Sequence, residues 1–146
     1  MVPPLARSSS LRAQSNRNVV SMTADVKFCQ IVTMFHEREL ADALADLLVA
    51  RRLAASVHVE GPVTARFWWD GAVQTVEEWR VTCKTTMNHY GEIEALINDK
   101  EHHPYDLPEV LAVPVLAGSD RYLEWIAAET RTAGTPFGED DTSAGA

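Results

Sequence analysis

The chain has 146 residues, of which 46% are hydrophobic and 23% are charged, and its formal net charge is −8. This length and composition are typical of one compact domain, and the acidic balance disfavours nucleic acid as a partner while favouring cations. No run of about eighteen apolar residues is present, so the sequence also argues against a membrane-spanning protein.

The two ends of the chain differ from its middle in composition. Residues 1–24 contain three arginines and no acid, and they lack the apolar stretch of a secretory signal. We expect residues 1–26 to form a disordered tail, or translation to begin at Met22. An organelle transit peptide is the alternative. Residues 132–146 are polar and are also expected to be disordered, which leaves one domain over residues 27–131.

The first half of this domain predicts a strand, a helix and a hairpin. Residues 28–33 are rich in β-branched and apolar side chains, which predicts a strand. Residues 37–52 repeat leucine and alanine at steps of three and four, with acids early and arginines in the last turn, which predicts an amphipathic helix. Extended patterns at 57–60 and 63–69 lead to the tight-turn signal Asp70-Gly71 and resume at 76–86, so this turn should close a hairpin.

The second half predicts a helix, an edge strand and a last helix. Residues 88–100 place apolar side chains on one helical face. Residues 110–115 form an apolar strand in which Pro114 favours an edge position, and Ser119 or Asp120 should cap the last helix. The order β-α-β-β-α-β is that of the ferredoxin-like sandwich, an α+β fold in which two helices cover one face of an antiparallel sheet.

The other face of such a sheet would need a cover. The last helix is too short to cover a whole sheet, and Phe67, Trp68 and Trp69 in succession place large apolar groups on both faces of one strand. Self-association is the natural way to bury such surface, so we predict an oligomer.

Two cysteines indicate the compartment. Cys29 and Cys83 both lie in apolar, strand-like surroundings. This is typical of buried free thiols in a reducing environment rather than of a disulfide framework, and with the missing export signal it predicts a cytoplasmic protein.

Residues 102–109, His-His-Pro-Tyr-Asp-Leu-Pro-Glu, concentrate imidazoles, a phenol and carboxylates in a connector that two prolines stiffen. Because His102 and His103 are adjacent, their rings should diverge, and a metal would need a third donor. That donor would come from Glu101, Asp106 or Glu109, or from a group on a neighbouring subunit. The resulting nitrogen and oxygen site suits Cu(II), Zn(II) or Ni(II). The alternative is that His103 hydrogen-bonds the connector and His102 is solvated.

A second group of side chains has the chemistry of a ligand cleft. Trp69, Glu78, Lys84 and Tyr105 provide aromatic walls with one acid and one base, which suits a small polar ligand between subunits. Glu109 is the fifth candidate for this cleft. The structural alternative is that Trp69 packs the hairpin and that Glu78 and Lys84 pair across subunits. The sequence contains no Gly-rich phosphate loop, G-x-S-x-G, C-x-x-C or H-E-x-x-H, so the motifs do not predict an enzyme.

Five ordered segments carry a family resemblance. They are Ala-Arg-Arg-Leu-Ala-Ala-Ser at 50–56, Phe-Trp-Trp-Asp-Gly at 67–71, Lys-Thr-Thr at 84–86, His-Pro-Tyr with Pro-Glu within 103–109, and Tyr-Leu-Glu-Trp-Ile at 122–126. Together they resemble the CutA divalent-cation tolerance family over about residues 28–130. The resemblance implies a ferredoxin-like homotrimer similar in architecture to PII signal proteins, with sites in clefts between subunits.

The resemblance further implies a role in tolerance of divalent metals, copper above all, and no established catalytic activity. This chain departs from the family at the thiolate positions, where Val32 or Thr33 and Ser56 stand instead of cysteine. Cys29 is about 10 to 13 Å away along the strand and is a poor substitute. We therefore expect a non-enzymatic homotrimer that binds copper, or zinc or nickel, weakly. The alternative is a PII-like regulatory module that binds a small metabolite in the cleft between subunits.

Overall fold

The computed structural model describes residues 25–131, so the predictions for residues 1–24 and 132–146 lie outside the described part of the chain. The elements follow in the order β1 (Phe28–Phe35), α1 (Arg38–Ala50), β2 (Ser56–Trp69), β3 (Ala72–Thr86), a 3₁₀ turn (Met87–His89), α2 (Tyr90–Ile97), β4 (Leu111–Pro114) and α3 (Asp120–Glu129). No helix within this range is long and apolar enough to cross a membrane.

The four strands form one antiparallel sheet in the order β2-β3-β1-β4. Its core lies between one face of the sheet and the two helices α1 and α2, which contribute Ala41, Leu44, Leu48, Ile93 and Ile97. The predicted ferredoxin-like α+β fold with a further C-terminal helix is therefore confirmed.

Strand β1 shows how the sequence pattern produces this core. Its side chains alternate between the two faces of the sheet, and Cys29, Ile31, Thr33 and Phe35 are all at most 2% exposed. Cys29 and its neighbour Cys83 on β3 are free and buried, as predicted. Burial raises the pKa of Cys29 to about 11 and that of Cys83 to about 12, so both remain protonated thiols at neutral pH.

The hairpin is longer and more continuous than the sequence indicated. The segments predicted at 57–60 and 63–69 belong to one strand, β2, whose pairing with β3 shifts register between Glu60 and Val63. Gly61 lies at this irregularity with φ +151°, and a Cβ atom there would be only 2.9 Å from the carbonyl oxygen of Glu78. Only glycine fits at this position. Residues 61–62, which separate the two predicted segments, therefore form a bulge within one strand.

The predicted turn at Asp70-Gly71 is confirmed. Both residues have positive φ, 49° and 76°, and they connect the paired residues Trp69 and Ala72. A two-residue loop with positive φ at both positions matches the twist of the flanking strands.

The second helix is shorter than the predicted 88–100. It begins with the 3₁₀ turn, its α-helical part ends at Ile97, and the backbone N–H groups of His102 and His103 both donate to the carbonyl of Asp99. At the end of the sheet, β4 is an edge strand, as Pro114 predicted. The side chain of Ser119 caps α3 by accepting a hydrogen bond from the N–H of Tyr122.

Candidate functional site

The loop 98–110 joins α2 to β4, contains the connector 102–109 and passes the end of β1. His103 contacts Thr33, Met34 and Phe35, while Tyr105 contacts Glu78 on β3. The predicted site residues of the connector are thus held against two neighbouring strands.

His103 is a buried structural group within the protomer. It is 1% exposed, its Nε2 lies 2.8 Å from the Met34 carbonyl oxygen, and its ring stacks on Phe35 at 4.0 Å. Because a carbonyl only accepts, Nε2 carries the proton and donates it. This leaves Nδ1 to accept the N–H of Tyr105 at 3.4 Å.

The protonation state of His103 follows from this environment. Burial lowers its pKa to about 4, and the hydrogen bond to the Met34 carbonyl opposes this fall only in part. The ring is therefore neutral at physiological pH, but both nitrogens are engaged. For His103 to bind a metal, one of these hydrogen bonds would have to break.

His102 differs from its neighbour. Its ring is half-buried and makes no hydrogen bond or ion pair within residues 25–131. Across that same described part of the chain, no three His, Cys, Asp or Glu side chains are placed to hold a metal ion. The metal role predicted for His102 and His103 remains a prediction, and it needs donors from outside one protomer.

One of the predicted third donors is occupied. Asp106 accepts a hydrogen bond of 2.8 Å from Lys100, and this contact lowers the pKa of the carboxyl. The ammonium also donates to the carbonyl of Tyr105, at 3.1 Å. This pair fixes the connector and leaves the carboxylates of Glu101 and Glu109 as the remaining acids of the predicted set.

Three of the five cleft candidates lie together. The Tyr105 hydroxyl donates to Glu78 Oε2 at 2.8 Å, and Glu78 is only 8% exposed. Burial and the adjacent Glu78 raise the pKa of Tyr105, so the phenol remains protonated. Glu109 is exposed as a residue, but its carboxyl is partly desolvated. This desolvation and the charge of Glu78 raise its pKa, whereas the charge of Arg80 lowers it. The phenol and the two acids form a polar group where the connector meets β3.

Trp69 and Lys84 lie far from this group within one chain. Lys84 is six residues from Glu78 along β3, and Trp69 pairs with Ala72, six residues away in the other direction. At about 3.3 Å per residue each is about 20 Å from Glu78. The five predicted cleft residues can therefore meet in one pocket only if different copies of the chain contribute them.

Lys84 has a local partner instead of Glu78. Its ammonium lies 3.2 Å from Nδ1 of His58 on β2. Since lysine only donates, the imidazole nitrogen accepts in this contact. An ion pair between Glu78 and Lys84 is excluded by distance within a protomer and remains a prediction between copies.

An aromatic stack that the sequence did not reveal supports the connector. Tyr105 meets His103 edge-on at 4.8 Å and stacks on His36 at 5.3 Å, which extends the contact of His103 with Phe35. Phe35 and His36 are about 70 positions away in the sequence, and no local pattern connects them to the connector. The stack gives the connector one defined position on the sheet.

Comparisons with known proteins agree with this architecture. Residues 29–129 match the family model described as CutA1 divalent ion tolerance protein. The chain is 33% identical over 132 residues to the chloroplastic protein CutA of Arabidopsis thaliana, covering 89% of this chain and 71% of the relative. It is 34% identical over 92 residues to the divalent-cation tolerance protein CutA of Thermus thermophilus, covering 63% and 87%.

Solved structures show the same likeness. The crystal structure of CutA1 from Oryza sativa has a TM-score of 0.68 and 31% identity, covering 73% of this chain and 95% of that one. The divalent cation tolerance protein from Thermus thermophilus has a TM-score of 0.67 and 30% identity, covering 71% and 99%. The chain therefore belongs to the CutA divalent-cation tolerance family.

Proposed function

We propose that this chain is a non-enzymatic homotrimer that binds divalent metal ions weakly and acts in metal tolerance. Copper is the first candidate, with zinc and nickel as alternatives. The observation that carries this proposal is a sheet with one face free of α1 and α2 and with two outer strands that have unpaired edges, β2 and β4. The names of its relatives as divalent-cation tolerance proteins support the metal.

The exposed apolar side chains lie where assembly would cover them. Leu111 and Val113 on the edge strand β4 are 54% and 44% exposed, and Trp68 and Val73, a cross-strand pair at the hairpin tip, are 74% and 55% exposed. Unpaired strand edges and apolar patches of this kind favour association. Because the tip and the edge are different surfaces, a contact between them is head-to-tail and can close into a ring. The family resemblance supports three copies.

The metal would bind weakly because the chain offers no soft ligand at the connector. His102 provides a ring without a hydrogen-bond partner within the described residues, and oxygen would come from Glu101, its neighbour in the sequence, or from Glu109. Cys29 and Cys83 are buried as protonated thiols and are not available. One imidazole with carboxylates needs a further donor, and in the trimer the neighbouring copy supplies it.

The test is a calorimetric titration of Cu(II) and Zn(II) into the full chain and its variants. His102→Ala should weaken Cu(II) binding at least tenfold, whereas His58→Ala, which removes an exposed imidazole on β2, should not change it. His103→Phe keeps the ring stack on Phe35, so a loss of affinity in this variant would make His103 a ligand as well. Equal affinity in the wild type and a His102→Ala/His103→Phe double variant would rule out the proposed site.

The cellular location is also a proposal. The two free buried thiols support a reducing compartment, and we propose the cytoplasm. The relative from Arabidopsis thaliana is named chloroplastic, which makes an organelle the alternative. Cell fractionation followed by immunoblotting separates the two, and recovery of the protein in an organelle fraction would exclude the cytoplasm.

A small metabolite bound between subunits is the second candidate function. It is favoured by Glu78, a carboxylate that is only 8% exposed in the protomer and accepts a hydrogen bond of 2.8 Å from the Tyr105 hydroxyl. A neighbouring copy would bring Lys84 and Trp69 toward this group. A thermal-shift screen of metabolites and metals decides between the two functions, because any ligand of the folded state raises the melting temperature. If only metals raise it, the metabolite function is excluded.

A further inference from the structure

The helix α3 is attached to the rest of the domain mainly near its C-terminal end. Ile126 and Thr130, the residue that follows the helix, are both buried. Nearer the start of α3, Tyr122 and Trp125 stack on each other at 5.5 Å and are 41% and 40% exposed. The position of this exposed aromatic pair therefore depends on contacts made around the end of the helix.

Arg52 makes the first of these contacts. It follows α1 and has a φ of 54°, in the left-handed region that glycine adopts more easily than any other residue. Its carbonyl accepts the backbone N–H of Arg131 at 2.8 Å, and its guanidinium pairs with Glu129 at 3.3 Å. The backbone and the side chain of Arg52 thus both hold the end of α3.

Arg131 and His89 extend this contact to the second helix. The guanidinium of Arg131 pairs with Glu92 on α2, and the Arg131 side chain is 7% exposed. His89, in the 3₁₀ turn, is 3% exposed and hydrogen-bonds to the backbone of Arg131. Since the N–H of Arg131 is donated to Arg52, the ring of His89 donates to the Arg131 carbonyl. We call Arg52, His89, Glu92, Glu129 and Arg131 the clasp.

The clasp favours the neutral form of His89. Burial and the nearby guanidinium of Arg131 lower the pKa of His89, while Glu92 and the hydrogen bond to the Arg131 carbonyl act against this fall. The other two charged members, Arg52 and Glu129, pair with each other. When the clasp opens, His89 regains an ordinary pKa of about 6.5, so protonation below this pH favours the open form.

We propose that the clasp is a pH-sensitive latch that holds α3 on the domain at neutral pH and releases it in acid, when His89 takes up a proton. Opening breaks the contacts of Arg131 with Arg52 and Glu92 and gives the charged ring access to water. Tyr122 and Trp125 move with the helix, so the surface they present changes with pH. This device goes beyond the proposed function, since no residue of the clasp belongs to the connector or the cleft group.

The test is amide hydrogen exchange of the ¹⁵N-labelled full chain at pH 7.5 and pH 5.0, followed by NMR and corrected for the intrinsic exchange rate at each pH. The N–H of Arg131 reports opening of the clasp, and its opening constant should rise about fivefold or more at pH 5.0. His89→Gln keeps a side-chain N–H donor but does not titrate, so this rise should disappear. His103→Phe removes a buried histidine outside the clasp, and as the matched control it should leave the rise in place.

A second variant separates the clasp from its response to pH. Arg52→Gly suits the left-handed backbone but removes the ion pair with Glu129, so the opening constant should be larger at both pH values while the rise between them stays as in the wild type. An unchanged opening constant in this variant would overturn the proposal, as would an Arg131 N–H that exchanges without protection at pH 7.5. An equal rise in the wild type and in His89→Gln would also overturn it.

Discussion

The pH dependence of stability tests the burial of His103 directly. Its pKa is about 4 in the folded chain, against 6.5 for an ordinary imidazole, because burial disfavours the charged ring. A histidine with a depressed folded pKa contributes stability above the unfolded value, and this contribution is lost as the pH falls toward the folded value. The pH range over which the stability contribution of His103 is lost therefore lies between about pH 6.5 and pH 4.

The magnitude follows from the same two values. Each unit of pKa difference is worth about 1.4 kcal/mol, so protonation of His103 opposes folding by about 3 kcal/mol below pH 4. About 2.5 kcal/mol of this is lost between pH 7.5 and pH 4.5. A change of this size is a large part of the stability of an ordinary domain.

The assay compares wild type with His103→Phe by urea unfolding at a fixed protein concentration. The Phe ring keeps the stack on Phe35 but leaves the Met34 carbonyl without its donor, which should destabilise the chain by about 1 to 3 kcal/mol at every pH. From pH 7.5 to 4.5 the variant should lose about 2.5 kcal/mol less than wild type. Other groups titrate in both proteins, so their contributions cancel when the loss of unfolding free energy in the variant is subtracted from that in wild type. Parallel pH profiles would refute the reasoning.

Three further substitutions test single hydrogen bonds. Tyr105→Phe removes the hydroxyl that donates to Glu78 and should cost about 1 to 2 kcal/mol of unfolding free energy, because a buried carboxyl group loses its hydrogen-bond partner. Thr85→Val is nearly isosteric but removes the buried bond of 2.6 Å to the Leu53 carbonyl, and it should cost about 1 to 2 kcal/mol. Ser119→Ala removes the cap of α3 and should cost about 1 kcal/mol. Urea unfolding measures all three.

Matched controls exist for two of these changes. Tyr122→Phe removes the hydroxyl of an exposed tyrosine on α3, and Thr75→Val alters an exposed threonine on β3. Both should change the unfolding free energy by less than about 0.5 kcal/mol. If the buried substitutions have effects as small as those of the controls, the hydrogen bonds that we describe do not stabilise the fold.

The order of elements could be predicted because it depends on local patterns. The period-two burial of β1, the steps of three and four in α1 and the positive-φ turn at Asp70-Gly71 each follow from a few neighbouring residues. The bulge at Gly61 could not be predicted, since its cause is the approach of Glu78, a residue of the next strand. The early end of α2 at Ile97 likewise depends on how the connector folds back onto Asp99.

The candidate site was likewise predicted only in part. The sequence identified the connector and its chemistry, but it could not show that His103 is turned toward Met34 and Phe35 while His102 is not. That difference is produced by contacts about 70 residues apart. The separation of Glu78 from Lys84 and Trp69 was not predicted either. The three residues were chosen for the chemistry of their side chains, and their distances along the paired strands were not considered. The predicted limits of the domain, 27–131, remain a prediction.

The mass of the full chain in solution, determined by sedimentation equilibrium, tests the central claim most directly. One copy has a mass of 16.2 kDa. If the free face of the sheet and the edges of β2 and β4 are covered by neighbouring copies, the measured mass should be about three times this value and independent of concentration in the micromolar range. A mass equal to that of one copy would contradict the account, because the exposed edge and hairpin tip would then have no neighbouring copy to cover them.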